Sequence, residues 1–330
     1  MSDNIIQVDN LVKKFGQLVA VDHISFNVAP GEIFGFLGPN GAGKTTTINI
    51  LCTLARPTSG KATLNGFDVV HQQNQVRHSI GLVFQDSSLD DRLTGMHNLN
   101  IHAMVYNVPA TVRAQRIEQV LKMVDLWDKR NNFVNTYSGG MKRRLELARG
   151  LLHYPRVLFL DEPTLGLDPQ TRNHIWEYVL NLQKQEGTTV FLTTHYMDEA
   201  EKASRIAIID HGKMVALDTP AKLKQMVGKD IVTVRTDDNK KAAEEIKLRY
   251  QTEARPDGDQ LTFAIEKGEE FLPVFLREFG VNIASISLRR PTLEDVFLKL
   301  TGREIREQDV GNSLTAQIRQ RGGRGGRMPH

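Results

Sequence analysis

The chain has 330 residues, 40% of them hydrophobic and 25% charged, an ordinary balance for a globular protein of about two domains. A net charge of +3 excludes whole-chain electrostatic binding of nucleic acid, and no apolar run reaches the roughly 20 residues that span a bilayer. The single cysteine, Cys52, excludes an intrachain disulfide, and the start Met-Ser-Asp-Asn lacks the basic and apolar parts of a signal peptide, so a cytosolic chain with at most a peripheral membrane role is expected.

Residues 5–28 alternate apolar and polar types, which predicts antiparallel strands. Phe15 closes the first of them. An aromatic there either stacks on a nucleotide base or serves as a core or turn residue. The apolar run Ile33-Phe-Gly-Phe-Leu37 reads as a buried strand. It leads into Gly38, Pro39, Asn40, Gly41, Ala42, Gly43, Lys44, Thr45 and Thr46, which fit G-x-x-x-x-G-K-[ST], the phosphate-binding P-loop. Apolar residues at helical spacing follow at Ile48, Leu51 and Leu54. The loop therefore sits between strand and helix, where its N–H groups and the helix N-terminus make an anion nest. Lys44 puts a point charge on the β- and γ-phosphates, and the Thr45 hydroxyl takes a Mg2+ coordination site. Cys52 lies inside this helix and reads as a small core residue.

Lys61-Ala-Thr-Leu-Asn-Gly66 predicts a strand and turn, and Ile80-Gly-Leu-Val-Phe-Gln85 a second buried strand. The amide oxygen of Gln85 can reach the metal or its water. From 86 to 152 the spacing turns helical, as at Ile117, Val120, Leu121 and Val124, and predicts a helical insert. Within it Ser138 caps a helix. Gly139 and Gly140 let backbone approach an anion at that helix's N-terminus, unless this is an ordinary capped helix. Val157-Leu-Phe-Leu-Asp161 is an apolar strand ending in a carboxylate, followed by Glu162, which is the Walker B pattern. Asp161 is placed to hold Mg2+ through water and Glu162 to polarise an attacking water. Leu165-Gly-Leu-Asp168 forms a turn, and Pro169 opens the next helix. A strand over 189–194 ends at His195, which is either structural or in contact with the γ-phosphate. Residues 205–217 read as two strands about a His-Gly turn, and a helix over Pro220–Val227 closes this domain.

Taken in order, Phe15, the P-loop, Gln85, Ser138-Gly-Gly140, Asp161-Glu162, Asp168 and His195 resemble the nucleotide-binding domain of ATP-binding cassette (ABC) transporters, over about residues 5–228. The Ser-Gly-Gly helix discriminates, since other P-loop proteins lack it. Here the signature reads Tyr-Ser-Gly-Gly-Met141 where the commonest form is Leu-Ser-Gly-Gly-Gln; the backbone donors survive the change. The resemblance implies an α/β fold: a RecA-like core, an antiparallel β subdomain and a helical subdomain at about 86–152, within residues 1–228. It implies ATP and Mg2+ as cofactors and assigns roles. Phe15 stacks on adenine. Residues 38–46 bind phosphates. Thr45, Gln85 and Asp161 serve the metal, Glu162 is the general base, and His195 is the γ-phosphate switch. Ser138, Gly139 and Gly140 act across a head-to-tail dimer interface, and Asp168 joins the two sites. With one P-loop and one signature, the chain requires a second cassette, another copy in a homodimer or a different subunit.

Residues 229–302 read as β-α-β-β-α-β, a ferredoxin-like α+β domain with one weak strand near 251–254, followed by an amphipathic helix bearing Leu293, Val296, Phe297 and Leu300. Arg-Arg-Pro-Thr-Leu-Glu-Asp-Val-Phe297 is similar to the C-terminal segment of daunorubicin-resistance-type ATPases, which implies export through a separate ABC-2 type membrane permease, with this chain peripheral on the cytoplasmic face. The domain itself reads as a dimer-stabilising appendage or a small-molecule sensor. Residues 303–330 are Arg/Gly-rich and lack the apolar surface to fold; they are a solvated tail, or touch anionic lipid or RNA. Two rival functions stand beside export. One is a soluble ABC-type ATPase acting on nucleic acid, against which residues 47–137 lack a coiled-coil insertion, so no nucleic acid is expected. The other is a non-catalytic ATP sensor, against which the Asp161-Glu162 pair is intact.

Overall fold

The computed structural model describes residues 4–302; the tail expected from 303 onward lies outside the described residues. Two compact units part between Thr219 and Pro220.

The first unit opens with a hairpin of β1 (Ile6–Phe15) and β2 (Leu18–Val28), then β3 (Ile33–Leu37) and α1 (Lys44–Leu51). β4 (Ser59–Leu64), β5 (Phe67–Asp68), α2 (Gln73–Ser79) and β6 (Ile80–Val83) follow. The helical part comprises α3 (Gly95–Val105), α4 (Ala110–Met123) and α5 (Gly139–Leu151). The chain returns through β7 (Val157–Asp161), α6 (Pro169–Glu186), β8 (Thr189–Thr194), α7 (Met197–Ala200), β9 (Arg205–Asp210) and β10 (Lys213–Asp218).

Two sheets result. The antiparallel one runs β2-β1-β4-β5, and the other β10-β9-β3-β8-β7-β6, parallel except at β10. Parallel strands covered on both faces carry near-continuous apolar runs, and every residue of β3, β7 and β8 is buried. Phe26 of β2 joins Phe34, Phe36, Phe159 and Phe191 in a cluster with ring centroids 5.3 to 6.0 Å apart. It ties the antiparallel sheet to the parallel one, each ring pair adding about 0.5–1.5 kcal/mol beyond its buried area. The strand order has a functional consequence. β8 lies between β3 and β7, so the residues that follow these three strands emerge side by side at one sheet edge, where open α/β sheets bind ligands.

The second unit comprises α8 (Pro220–Val227), β11 (Asp230–Thr236), α9 (Asn239–Tyr250), β12 (Arg255–Asp257), β13 (Gln260–Ile265), α10 (Gly268–Glu278), β14 (Ile283–Arg289) and α11 (Leu293–Thr301). Its sheet, β12-β13-β11-β14, is antiparallel throughout, and its order is that of a ferredoxin-like split βαβ unit. Val232, Val234, Leu261 and Phe263 of the sheet bury against Ala242, Ile246 and Phe275 of the helices. Two details differ from the sequence reading. The weak strand lies at 255–257 rather than 251–254, because Gln251 ends α9 in a left-handed conformation (φ 52°) and pairing begins only after that turn. And α8 does not close the first domain: it packs with α11 in the second unit, where Lys299 Nζ donates to the last carbonyls of α8, Met226 (2.8 Å) and Val227 (3.0 Å). α11 itself starts at a Thr292–Asp295 capping box and stops at Gly302 (φ 73°).

Candidate functional site

The P-loop leaves β3 at Leu37 and enters α1 at Gly43. Gly43 has φ 103°, and a Cβ there would sit 2.4 Å from the Ala20 carbonyl oxygen, so only glycine fits. No side chain caps α1, which leaves its first N–H groups facing the loop. Lys44 is buried. Its Nζ donates to the carbonyls of Gly38 (2.7 Å) and Pro39 (3.1 Å) and lies 3.2 Å from Glu162 Oε1. Burial pulls its pKa down, while Glu162 and Asp161 act against that.

Asp161, the last residue of β7, accepts from Thr193 Oγ1 at 2.5 Å and from Thr45 Oγ1 at 3.4 Å. Burial raises its pKa, the two hydroxyls oppose the rise, and the neighbouring Glu162 charge adds to it. Glu162 takes φ +46°, a left-handed conformation that costs a non-glycine residue about 1–2 kcal/mol. Its N–H is held by the Thr193 carbonyl (3.2 Å) and Thr193 Oγ1 (3.1 Å). His195 follows β8, and its Nδ1 lies 3.4 Å from Glu162 Oε2, at ion-pair distance but not aligned as a hydrogen bond. Burial pushes the Glu162 carboxyl up, but His195 and Lys44 outweigh burial and hold it below its ordinary value. Lys44, Asp161, Glu162 and His195 therefore meet in one buried cluster, an ammonium and a ring nitrogen bracketing one carboxylate, with Thr45 at its exposed edge.

A raised Asp161 pKa means that the fold disfavours its charge. Above that pKa the ionised carboxylate lowers stability, so Asp161→Asn is expected to raise the melting temperature at neutral pH while abolishing hydrolysis. Thermal melts beside ATPase assays test this, and a lower melting temperature would contradict the assigned burial cost.

The remaining motif residues lie elsewhere. Phe15 is 53% exposed at the tip of the first hairpin, opposite Leu18, with Lys13 Nζ 4.8 Å from its ring centroid; the core alternative does not hold. Gln85 is exposed two residues beyond β6. Ser138 caps α5, its hydroxyl accepting from Met141 N at 3.2 Å, and Asp168 caps α6, accepting from Thr171 N at 2.9 Å. These two helix starts adjoin: a Cβ on Gly140 would sit 2.6 Å from Thr171 Cγ2. Ser138, Gly140 and Thr171 line one recess, and among the described residues no hydrogen bond joins this corner to the P-loop. The motif reading missed Thr193, and also Glu199, a buried carboxylate that accepts from Thr194 Oγ1 (2.7 Å) and Thr164 Oγ1. The available signal was a pair of threonines closing an apolar strand.

The cluster fits a nucleotide and a hard cation. The buried His195 ring nitrogen without an aligned partner is an orphan that a phosphate oxygen would satisfy. Thr45 and Asp161 offer oxygen, and among the described residues no group of three or more His, Cys, Asp or Glu is placed to hold a metal alone. Mg2+ suits this, since it takes one or two protein oxygens and completes its shell with phosphate and water.

The family models agree with this geometry. The ABC transporter model matches residues 21–165, and the model of the DrrA1-3-like C-terminal domain of ATP-binding proteins matches 219–301. The daunorubicin resistance ATP-binding protein DrrA2 of Streptomyces coeruleorubidus is 40% identical over 319 residues, 92% of this chain and 96% of that one. This chain is an ATP-binding subunit of the ABC transporter family. The Nod factor export ATP-binding protein I of Cupriavidus metallidurans is a further ABC relative, 39% identical over 92% of this chain and 99% of its own. Among solved structures, the dimeric ATP-binding cassette MJ0796 bound to ADP and Pi is 28% identical, with a TM-score of 0.60 over 65% of this chain and 98% of that one. The cassette expected from the motifs is present, and the chain is an ABC-type ATPase.

Proposed function

We propose that this ABC ATPase hydrolyses Mg2+·ATP between two cassettes and drives export through a separate ABC-2 type permease, working on the cytoplasmic face of the membrane. The observation that carries the catalytic part is Glu162, a carboxylate kept ionised between Lys44 and His195 beside the Asp161–Thr45 pair.

Phosphoryl transfer is mostly positioning and electrostatics. Lys44 turns from the Gly38 and Pro39 carbonyls to the β- and γ-phosphates, which frees Glu162 Oε1. Glu162 then takes a proton from the attacking water as oxygen bonds to the γ-phosphorus and the bond to the β-phosphate oxygen breaks. His195 binds a γ-phosphate oxygen and keeps Glu162 facing the water. Thr45, Asp161 and Gln85 would hold Mg2+, which would supply positive charge against the negative charge gathering on the phosphate oxygens. Phe15 stacks on adenine from its exposed position on the hairpin tip. Ser138, Gly139 and Gly140, at the N-terminus of α5, close over the nucleotide of the partner cassette, and Asp168 lies in the loop joining the two sites.

No described helix is long and apolar enough to cross a membrane. One observation supports a membrane partner. Ile101, Met104 and Val105 of α3 share one helix face at i, i+3, i+4 spacing and are about half exposed or more, an apolar face suited to a partner helix. The cargo differs among relatives, one named for daunorubicin resistance and another for Nod factor export, so the permease selects it.

The test is a pull-down of the tagged chain from detergent-solubilised native membranes, with and without ATP. A retained multi-span partner that raises the ATPase rate is the expected result. A soluble ATPase dimer with no such partner would overturn the transport part and leave the catalytic part standing.

A further inference from the structure

Arg143 lies five residues into the signature helix from its cap at Ser138, and it is buried at 7% exposure. All five of its N–H groups have acceptors. Nε donates to the Pro163 carbonyl at 2.6 Å, and Nη2 donates to the carbonyls of Asp161 and Glu162, both at 3.2 Å. Nη1 donates to the Phe84 carbonyl and to Glu146 Oε2 at 3.0 Å. Glu146 is also buried, and its other oxygen accepts from Ser88 N at 3.0 Å.

Three consecutive carbonyls, those of 161, 162 and 163, therefore converge on one guanidinium. Extended strand points successive carbonyls to opposite sides, so this convergence requires the left-handed turn at Glu162 (φ +46°). Three inward dipoles repel one another unless a cation sits among them. The same cation holds the backbone on both sides of Gln85, through Phe84 directly and Ser88 by way of Glu146. We infer that Arg143 is a positioning residue that locks the signature helix, the Glu162 turn and the Gln85 loop into one node. When α5 is reoriented at the dimer interface, the catalytic base and the Gln85 loop move with it, so hydrolysis is set by the position of the signature helix. This rests on the proposed role of Glu162 as base.

The test is R143K in the full chain, with steady-state ATPase kinetics, equilibrium ATP binding and thermal melts. Lysine keeps the charge and a partner for Glu146, but three donors on one atom cannot serve four carbonyls in a plane. The expected result is a fall in kcat of about 10- to 100-fold, as for a catalytic group misplaced by about 1 Å, with ATP affinity within about threefold of wild type. The double variant R143Q/E146Q removes both buried charges together, leaves none unpaired, and carries the same criterion should R143K fail to fold. A folded variant with kcat within about threefold of wild type overturns the inference. So does a loss of kcat matched by equal losses of ATP affinity and melting temperature, which marks a packing role only. An active Glu162→Gln variant would instead remove the base assignment, and the two failures are told apart by that measurement.

Discussion

Glu162→Gln is expected to lower kcat by about 100-fold or more while ATP still binds. Glutamine fills the same space and its amide oxygen still accepts a hydrogen bond, but it does not take a proton from water at any working pH. The removed charge faces the γ-phosphate, so ATP affinity should hold or rise. The carboxylate lies 3.2 Å from Lys44 and 3.4 Å from His195, and those two neighbours keep it ionised despite burial. The pH dependence follows. In the free enzyme the depressed carboxylate pKa leaves the base ionised through neutral pH, so Glu162 itself sets no acid limb of kcat/KM above the ordinary glutamate value of 4.5. The stability contributed by the same group is present above that ordinary value and disappears as pH falls through the depressed one. Steady-state assays beside equilibrium ATP binding decide the matter, and near-wild-type turnover would sink the assignment.

Lys44→Ala should remove ATP binding itself. Charge-assisted hydrogen bonds contribute about 1.5–3 kcal/mol each, so losing contacts to two phosphates costs about 3–6 kcal/mol, or roughly 10²- to 10⁴-fold in affinity. The substitution also deprives the Gly38 and Pro39 carbonyls of a donor and leaves buried Glu162 without its cation. Breaking a buried ion pair on one side is destabilising by about 3–5 kcal/mol, so the thermal melt must accompany the binding isotherm. A folded Lys44→Ala protein that keeps micromolar ATP affinity would contradict the P-loop role. The two substitutions are diagnostic as a pair: one loses turnover and keeps ATP, the other loses ATP first.

The motifs were legible because each is local. A P-loop needs glycine at Gly43, where a Cβ would meet the Ala20 carbonyl, and that demand is written in adjacent letters. Fully buried parallel strands need near-continuous apolar runs, so β3, β7 and β8 stand out, and each ends at or just before its candidate functional residue. Ser138 reads as a helix cap because capping is a bond to the third residue onward, whereas Asp168, read as a turn residue, is shown to cap a helix only by the structure. The ferredoxin-like order of the second unit followed from the period of its strands and helices. Its weakest strand was set three to four residues early, since Gln251 carries no sequence mark of the left-handed turn it makes.

From the sequence by itself came the proposed chemistry: a phosphate nest, a lysine, a candidate metal-binding pair, a candidate base and a histidine, in an order that belongs to ABC cassettes. Only the tertiary structure decided what holds that chemistry in place. Thr193 is 32 residues from Asp161, and Arg143 is 59 from Phe84, yet each bonds to it. A buried arginine in the signature helix and a threonine closing a strand look, in one dimension, like surface and core residues of no special type. Helix α8 likewise follows the cassette without a break in composition, and only its packing with α11 and the Lys299 cap assign it to the second unit. The physical reason is common to all three. Backbone conformation and periodicity are encoded by neighbours in the chain, whereas the partner of a buried polar group is chosen by whichever distant segment folds against it.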